Sequence, residues 1–192
     1  MTAVKHEQGE TLLAVARCAI ARQLGEQGID HDTPSWLHEP GASFVTLTQQ
    51  GALRGCIGSL EAYRSLAEDV HANAIAAALR DPRFQPLDAR ELSRTRIEVS
   101  LLSGARDMQF DSEQHVLKQL RPGVDGVVLQ YGSARGTFLP QVWASLPEPA
   151  DYLAQLKRKA GLPADFWHED ICLSRYSVTK WREPVEADHE QP

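Results

Sequence analysis

The stretch Leu53-Arg54-Gly55-Cys56-Ile57-Gly58 places a cysteine and an arginine inside a strand-like run that contains two glycines. Alternate residues of an extended chain share a face, so the first, third and fifth residues of the run are predicted to point into a core. Arg54, Cys56 and Gly58 then share the opposite face, with the arginine and the cysteine about 7 Å apart. A small site centred on Cys56 is one interpretation of this pattern.

The chemistry of Cys56 has two interpretations. A cationic neighbour such as Arg54 favours the thiolate, which is the nucleophilic and metal-binding form of cysteine. Gly58 has no side chain, so a ligand or another backbone could approach closely on the face that carries Cys56. Alternatively, Cys56 is a small buried apolar residue, as lone cysteines commonly are. The sequence leaves both open.

The residues on either side predict the structure that holds this stretch. Residues 43–48 alternate in side-chain character and Gln49-Gln50-Gly51 is turn-prone, so the two runs form a predicted β-hairpin. Further along, Ser65 and Glu68 have the spacing of a capping box. A helix is therefore predicted from there to about Arg80.

That helix and the strand that follows it carry polar candidates. The polar residues of the helix, which predict a solvated face, are Asp69, His71 and Asn73. Asp81-Pro82-Arg83-Phe84 ends the helix at its proline, and Arg83 could reach an anion or a carboxylate. Residues 96–102 alternate as a half-buried strand with Glu98 on its polar face. That face could meet solvent or a cleft.

The remaining segments complete a mixed pattern of helices and strands. Further predicted helices cover residues 8–27, 87–92, 112–120 and 150–160. Further predicted strands cover a second hairpin, 124–131 and 137–143, and a final strand, 173–181. Pro140 either places the return strand at a sheet edge or ends it there. The acidic, proline-containing segment 183–192 is predicted to be disordered.

Length and charge narrow the class of protein. A chain of 192 residues favours a single domain, here over residues 1–182. The formal net charge of −6 argues against broad nucleic-acid binding, which needs a basic face. A compact basic cluster, Lys157-Arg158-Lys159, lies where a helix is predicted to end, and cations at that position complement the helix dipole.

Cysteine usage and hydropathy predict the compartment. Cys18, Cys56 and Cys172 are odd in number, widely spaced and free of any CxxC pair, so neither a disulfide framework nor a structural zinc site is indicated. No metal site is predicted. The N-terminus has no apolar signal core, and no run of about 18 apolar residues occurs. These features predict a cytoplasmic protein without membrane contact.

Several of these segments together resemble the AMMECR-type domain family, named after the AMME syndrome chromosomal region. Its bacterial members are called AmmeMemoRadiSam system protein A. The matching segments follow the family's order along nearly the whole chain: 44–47, 53–58, 81–84, 97–100, 125–126, 139–142, 159–162 and Trp167. Residues 53–58 match the family's signature hexapeptide, LRGCIG.

The resemblance implies an α+β fold in which an antiparallel sheet is flanked by helices, in two closely packed lobes with the signature near the cleft between them. It also implies two partners, a Memo-like protein related to ring-cleaving dioxygenases and a radical S-adenosylmethionine protein. It supplies neither a reaction nor a cofactor. Some members carry a further cysteine where this chain has Lys157 and Arg158, which argues against a two-cysteine mechanism here.

Three functional hypotheses follow. In the first, Cys56 is the nucleophile of a small-molecule or protein-modifying activity, and Arg54 or Arg83 holds an anionic group. The polar residues that could assist are His71, Glu98 and Gln141. In the second, the chain is a non-catalytic module that binds a ligand or peptide in a groove formed with Gly55 and Gly58, and Cys56 only packs. The third, a nucleic-acid-binding regulator, is opposed by the net charge.

Overall fold

The computed structural model describes residues 2–28 and 34–184 of the chain. By their internal contacts these residues form two units. The first unit joins the chain up to Leu102 with the chain from Thr179 onward, and the second unit is Ser103–Val178. In sequence, the second unit is therefore an insertion between two parts of the first.

Helices and strands have the following bounds. The helices are α1 Thr2–Gln23, α2 Leu66–Leu79, α3 Ala89–Leu92, α4 Glu113–Gln119 and α5 Pro149–Lys159, with short 3-10 helices at Ser35–His38 and Pro140–Ala144. The strands are β1 Ala42–Gln49, β2 Ala52–Gly58, β3 Arg96–Leu102, β4 Arg106–Asp107, β5 Gly126–Tyr131, β6 Ala134–Phe138, β7 Cys172–Tyr176 and β8 Val178–Arg182.

Two four-stranded antiparallel sheets organise these elements. The first has the strand order β2-β1-β3-β8, and the second has the order β4-β7-β5-β6. The α+β class predicted from the sequence is confirmed. The antiparallel sheet that the sequence predicts is present once in each unit.

The predicted hairpin around residues 53–58 is confirmed as β1 and β2. Gln49 pairs with Ala52, so the loop consists of Gln50 and Gly51, whose φ angles are 49° and 81°. Positive φ at both loop residues is the geometry of a tight hairpin turn that matches the twist of the strands. Because β2 lies at the end of the strand order, it is an edge strand.

Helix α2 packs on this hairpin, and its start confirms the predicted capping box. The Ser65 side chain accepts from the Glu68 N–H, while the Glu68 carboxylate accepts from the Ser65 N–H. Its alanines let the helix approach the sheet closely, and Ala74 and Ala77 are buried together with Val45 and Leu47 of β1. The short helix predicted over residues 87–92 is likewise present as α3, which begins after its N-cap residue Asp88.

Helix α1 differs from its predicted bounds of 8–27 because it begins and ends earlier. Its end is set by Gly25, which adopts a φ of 83°. The Glu26 N–H donates to the Ala21 carbonyl and the Gly25 N–H to the Arg22 carbonyl, which is the paired bonding of a Schellman motif. The glycine that ends the helix is therefore Gly25, and Gly28 lies beyond the end.

The second unit has its own core around α5 and the middle of its sheet. Tyr152 and Leu156 of α5 are fully buried with Leu129 and Leu173 of the facing strands. The Trp143 ring stacks on Tyr152 with ring centroids 3.7 Å apart. Strand β6 lies at the sheet edge, as Pro140 predicted, but its predicted bounds of 137–143 were wrong. The strand is Ala134–Phe138, and Pro140–Ala144 forms a 3-10 helix instead.

The final predicted strand, 173–181, is two strands. β7 belongs to the second sheet and β8 to the first, with Ser177 between them. Glu183, the first residue of the predicted disordered tail, is held by hydrogen bonds from Arg17 Nη2 at 2.6 Å and from the Ile97 N–H at 2.8 Å. From residue 185 on, the tail prediction lies outside the described residues. None of the described helices is long and apolar enough to cross a membrane.

Candidate functional site

Cys56 lies on the edge strand β2 with its side chain half-buried. Its cross-strand partner is Thr46 of β1, and the Sγ of Cys56 lies 3.2 Å from the Thr46 hydroxyl oxygen. A hydroxyl can donate to a thiolate or accept from a thiol. The hairpin therefore gives the thiol a fixed position and one hydrogen-bonding neighbour.

Thr46 also pairs with Glu98 of β3, so Cys56, Thr46 and Glu98 form one row across three strands, named here the polar row. Glu98 is only 8% exposed. Its carboxylate accepts from Arg182 Nε at 2.8 Å and lies 3.6 Å from Lys180 Nζ. The polar face of β3, left open between solvent and cleft by the sequence, thus carries a nearly buried carboxylate paired with two cations of β8.

Asp81 and Arg83 occupy the outer edge of β2 at Cys56. The Asp81 carboxylate accepts from the Cys56 N–H at 2.9 Å, and Arg83 Nη2 donates to the Cys56 carbonyl at 3.1 Å. The two side chains also form an ion pair of 2.7 Å. The hydrogen bond from Arg83 is the main reason that the pKa of Asp81 is held well below its usual range.

Arg83 is a cation close to Cys56, since its Nη2 donates to the carbonyl of that residue. The pKa of Arg83 is raised chiefly by its hydrogen bond with Asp81, further by the charge of that carboxylate, and in smaller part by the charge of the Cys56 sulfur. Because Arg83 is about half-exposed, its guanidinium also has donors that a ligand could reach. The sequence placed Arg83 in the binding set, and the structure brings it to Cys56.

Arg54 does not follow the predicted alternation. Leu47 pairs with Gly55 and Thr48 with Leu53, so Arg54 is the extra residue of a β-bulge. Its guanidinium pairs with Glu91 at 3.0 Å and donates to the Gln85 carbonyl at 2.8 Å. The bonds from Arg54 and the Asp88 N–H lower the pKa of Glu91 to about 2, and the bulge also leaves Leu53 exposed instead of in the core.

The two glycines of the stretch are needed for packing. A Cβ on Gly55 would lie 2.1 Å from the Ala77 carbonyl oxygen of α2, and a Cβ on Gly58 would lie 2.2 Å from the Phe44 ring. The space beside each glycine is thus filled by the protein itself. The group that approaches Gly58, where a close approach was predicted, is the Phe44 ring, and the group that approaches Gly55 is α2.

The other two predicted site residues are His71 and Gln141. His71 is exposed on α2, and no described residue bonds to its ring. Gln141 is exposed in the second unit, within the 3-10 helix that follows β6. His71 forms no hydrogen bond with the polar row within the described part of the chain.

Asp69 and Asn73 differ from their predicted solvated face because both are buried. The Asp69 carboxylate accepts from the Ser43 N–H at 2.8 Å, from the Ser59 hydroxyl at 2.6 Å and from Arg64 Nε at 2.9 Å. Asn73 Nδ2 donates to the Ser43 carbonyl at 3.0 Å. This satisfied network ties α2 to the start of β1 and the end of β2.

The sequence-based site omitted Thr46, Asp81 and the cations of β8. Thr46 could have been found from the hairpin register, since a two-residue turn fixes which residues face each other. Asp81 and the β8 cations depend on long-range pairing that no local pattern reports. Within residues 2–28 and 34–184, no group of three or more His, Cys, Asp or Glu side chains is placed to hold a metal ion.

Comparison with known proteins assigns the family. The AMMECR1 family model matches residues 13–181, and the chain belongs to that family. A protein of Methanothermobacter thermautotrophicus is 36% identical over 86% of this chain and 88% of its own length. A protein of Thermococcus kodakarensis is 37% identical over 95% of this chain and 94% of its own length.

A solved structure supports the fold. The crystal structure of the uncharacterised protein PH0010 from Pyrococcus horikoshii superposes with a TM-score of 0.76 at 33% sequence identity, covering 92% of each chain. The α+β architecture is therefore shared with a family member of known structure.

Proposed function

We propose that this AMMECR1-family protein acts through a thiol-dependent small-molecule or protein-modification site at Cys56. The observation that carries the proposal is the set of groups around one half-buried thiol: the Thr46 hydroxyl 3.2 Å from the Cys56 Sγ, and the Arg83 guanidinium, whose Nη2 donates to the Cys56 carbonyl at 3.1 Å. Reactive cysteines are found in electropositive, partly exposed surroundings of this kind.

The roles of the residues follow from their contacts. Cys56 is the nucleophile, and the Thr46 hydroxyl donates to its thiolate. Arg83 favours the thiolate and offers free donors to an anionic group of the substrate, because only part of its guanidinium is occupied by Asp81 and the Cys56 carbonyl. Glu98 holds Arg182 and Lys180 beside the polar row.

The test is the rate at which iodoacetamide alkylates Cys56 near neutral pH in the Cys18→Ser, Cys172→Ser background. Arg83→Gln is expected to slow alkylation about fivefold, the effect of one unit charge at close range in a well-solvated site. Arg83→Lys should restore most of the rate. Arg90→Gln is the matched control, since Arg90 is exposed and no described residue bonds to its side chain. Equal rates in all four proteins would contradict the proposal.

A second candidate, a non-catalytic ligand- or protein-binding module, is favoured by a separate observation. Among the described residues the Thr46 hydroxyl is the hydrogen-bond partner of the Cys56 sulfur, and no histidine or unpaired carboxylate is bonded to it. Cysteine nucleophiles commonly use such a base. If Cys56→Ser retains the activity that the chain supports together with the Memo-like and radical S-adenosylmethionine proteins, the binding module is the correct function.

We further propose that the chain works with Memo-like and radical S-adenosylmethionine proteins, on the basis of its likeness to the bacterial AmmeMemoRadiSam proteins. Co-expression with both proteins from the same genome should give co-purification of the chain with at least one of them. A binding module should keep this association in Cys56→Ser. The net charge of −6 speaks against the nucleic-acid-binding alternative, which would require an affinity that falls steeply with salt.

The cytoplasm is the proposed compartment. All three cysteines are free thiols, and free thiols persist in a reducing environment. Thiol titration of protein purified without reductant is expected to find all three reduced. A disulfide-linked species formed inside the cell would contradict this assignment.

A further inference from the structure

The second unit contains a cavity of about 520 Å³, named here the arginine cavity. Its charged lining residues are Arg106, Arg121 and Arg175. No acidic side chain lines it, and the rest of its wall comes from Ser103, Tyr176, Ser177 and two small residues. We infer that the arginine cavity binds the phosphate group of a small phosphomonoester.

Two of these arginines face each other across adjacent strands. Arg106 of β4 is the direct cross-strand partner of Arg175 of β7. Like charges at directly opposed positions destabilise a sheet. The neighbouring acidic residue, Asp107, occupies the next position along β4 and therefore the other face, where it accepts from the Ser174 hydroxyl at 2.8 Å. A bound anion would relieve the repulsion between the two guanidinium groups.

The charges around the cavity leave an excess of two positive charges. The carboxylate that pairs with the lining arginines is that of Asp125, which is fully buried and accepts from Arg121 Nη2 at 2.6 Å and from the Arg121 N–H at 2.9 Å. The same carboxylate lies 4.0 Å from Arg175 Nη1. Arg106 forms no ion pair with any described residue. Three cations and one carboxylate match a phosphate group, which carries a charge of about −2 near neutral pH.

Size and donor geometry favour a phosphomonoester over a single ion. Guanidinium groups bind phosphate oxygens through paired hydrogen bonds, and two opposed arginines can hold one phosphate from two sides. A volume of about 520 Å³ lies within the range of small-molecule sites and leaves room for an organic group. The exposed Ser177, next to the buried Tyr176, could contact that group. The inference does not depend on Cys56, because the two sites share no residue.

Calorimetric titration of the full chain at low ionic strength tests the inference. The probes are ribose 5-phosphate, inorganic phosphate and uncharged ribose. Ribose 5-phosphate is expected to bind, inorganic phosphate to bind more weakly and ribose not to bind. Added sodium chloride should weaken the binding, because exposed charges are screened. If ribose 5-phosphate does not bind, or if ribose binds equally well, the inference is overturned.

Charge variants locate the site. Arg106→Gln and Arg175→Gln should each weaken ribose 5-phosphate binding about tenfold or more, the usual effect of losing a charge-assisted hydrogen bond. Arg106→Lys should retain part of the affinity. Arg158→Gln is the matched control, because Arg158 is exposed on α5 and no described residue bonds to its side chain. Equal losses in Arg158→Gln and Arg106→Gln would overturn the inference.

Unfolding of the ligand-free variants separates loss of binding from loss of structure. Arg106→Gln removes one member of the opposed pair, so its melting temperature without ligand should equal or exceed that of the natural chain. Ribose 5-phosphate should raise the melting temperature of the natural chain but not that of the variant. A ligand-free variant that melts earlier would contradict the repulsion on which the inference rests.

Discussion

The Asp81 carboxylate accepts a hydrogen bond of 2.9 Å from the backbone N–H of Cys56. Since Arg83 donates to the carbonyl of the same residue, the two side chains bond to both backbone groups that a neighbouring strand would otherwise use. An edge strand with free backbone groups invites pairing with other chains. The Asp81-Arg83 pair therefore closes the edge of β2 at the residue that carries the candidate nucleophile.

Asp81→Asn is expected to lower the free energy of unfolding by about 2 kcal/mol, because an amide accepts fewer of the bonds from Arg83 and Cys56. The pKa of Asp81 is depressed in the folded chain, chiefly by its hydrogen bond from Arg83. Its stabilising effect is therefore fully present above the unfolded pKa of about 4 and is lost as the pH falls below it. Urea unfolding across this range is the measurement.

The matched control is Asp165→Asn, an exposed position whose side chain bonds to no described residue. It should change stability by less than about 0.5 kcal/mol. If Asp81→Asn were equally mild, the closure of the β2 edge by Asp81 would have no energetic weight.

Gly55→Ala should destabilise the first unit by about 3 kcal/mol. The added methyl group would lie 2.1 Å from the Ala77 carbonyl oxygen, so α2 or β2 must move. Gly104→Ala is the matched control, because nothing lies within 4 Å of its added methyl group and its φ is not positive. Thermal unfolding of the two variants should differ clearly, and similar melting temperatures would refute the packing role assigned to Gly55.

Glu91→Gln is expected to lower the free energy of unfolding by about 2 kcal/mol near neutral pH, because it weakens the bonds with Arg54. The hydrogen bond from Arg54 is the main cause that lowers the pKa of Glu91 to about 2. A depressed carboxyl pKa stabilises the fold above the unfolded value of about 4.3, and this effect is lost as the pH falls to about 2. Stability measured against pH should thus fall less steeply in the variant, and parallel curves would contradict the shift.

The two members of the ion pair between Lys157 and Glu113 should differ in how much their removal destabilises the second unit. Lys157 is fully buried and its Nζ lies 2.5 Å from the Glu113 carboxylate, which is 37% exposed. Glu113→Gln leaves the Lys157 ammonium buried without its counter-charge and should lower the free energy of unfolding by about 3 kcal/mol. Lys157→Met leaves a carboxylate that water can reach, so its cost should be smaller, about 1 kcal/mol. Chemical unfolding measures both, and the reverse order would disprove the asymmetry.

Local sequence patterns were sufficient to predict the elements that short-range hydrogen bonds and φ preferences determine. The capping box at Ser65 and the hairpin turn at Gln50-Gly51 use short-range hydrogen bonds and φ preferences, so both could be predicted from the sequence. The bulge at Arg54 could not, because it depends on which residue of β1 each residue of β2 meets. With one extra residue, Arg54 pairs with Glu91 and Leu53 is exposed instead of in the core.

Burial of polar residues was the other feature beyond local prediction. Asp69 and Asn73 fit a solvated helix face by composition, yet Ser43, Ser59 and Arg64 satisfy their side chains inside the protein. A helix pattern reports which residues share a face and not what that face meets. The same reason explains Lys157, whose position at the end of α5 was predicted but whose burial against Glu113 was not.

The order in which the strands of the first sheet occur along the chain has a consequence during translation. β1, β2 and β3 leave the ribosome before Ser103, but their neighbour β8 is made only after the whole insertion Ser103–Val178. Contiguous units can fold during synthesis as they emerge. During synthesis, the edge of β3 that pairs with β8 therefore stays unpaired until residues 178–183 have left the ribosome. This edge is where we expect chaperones to bind the nascent chain.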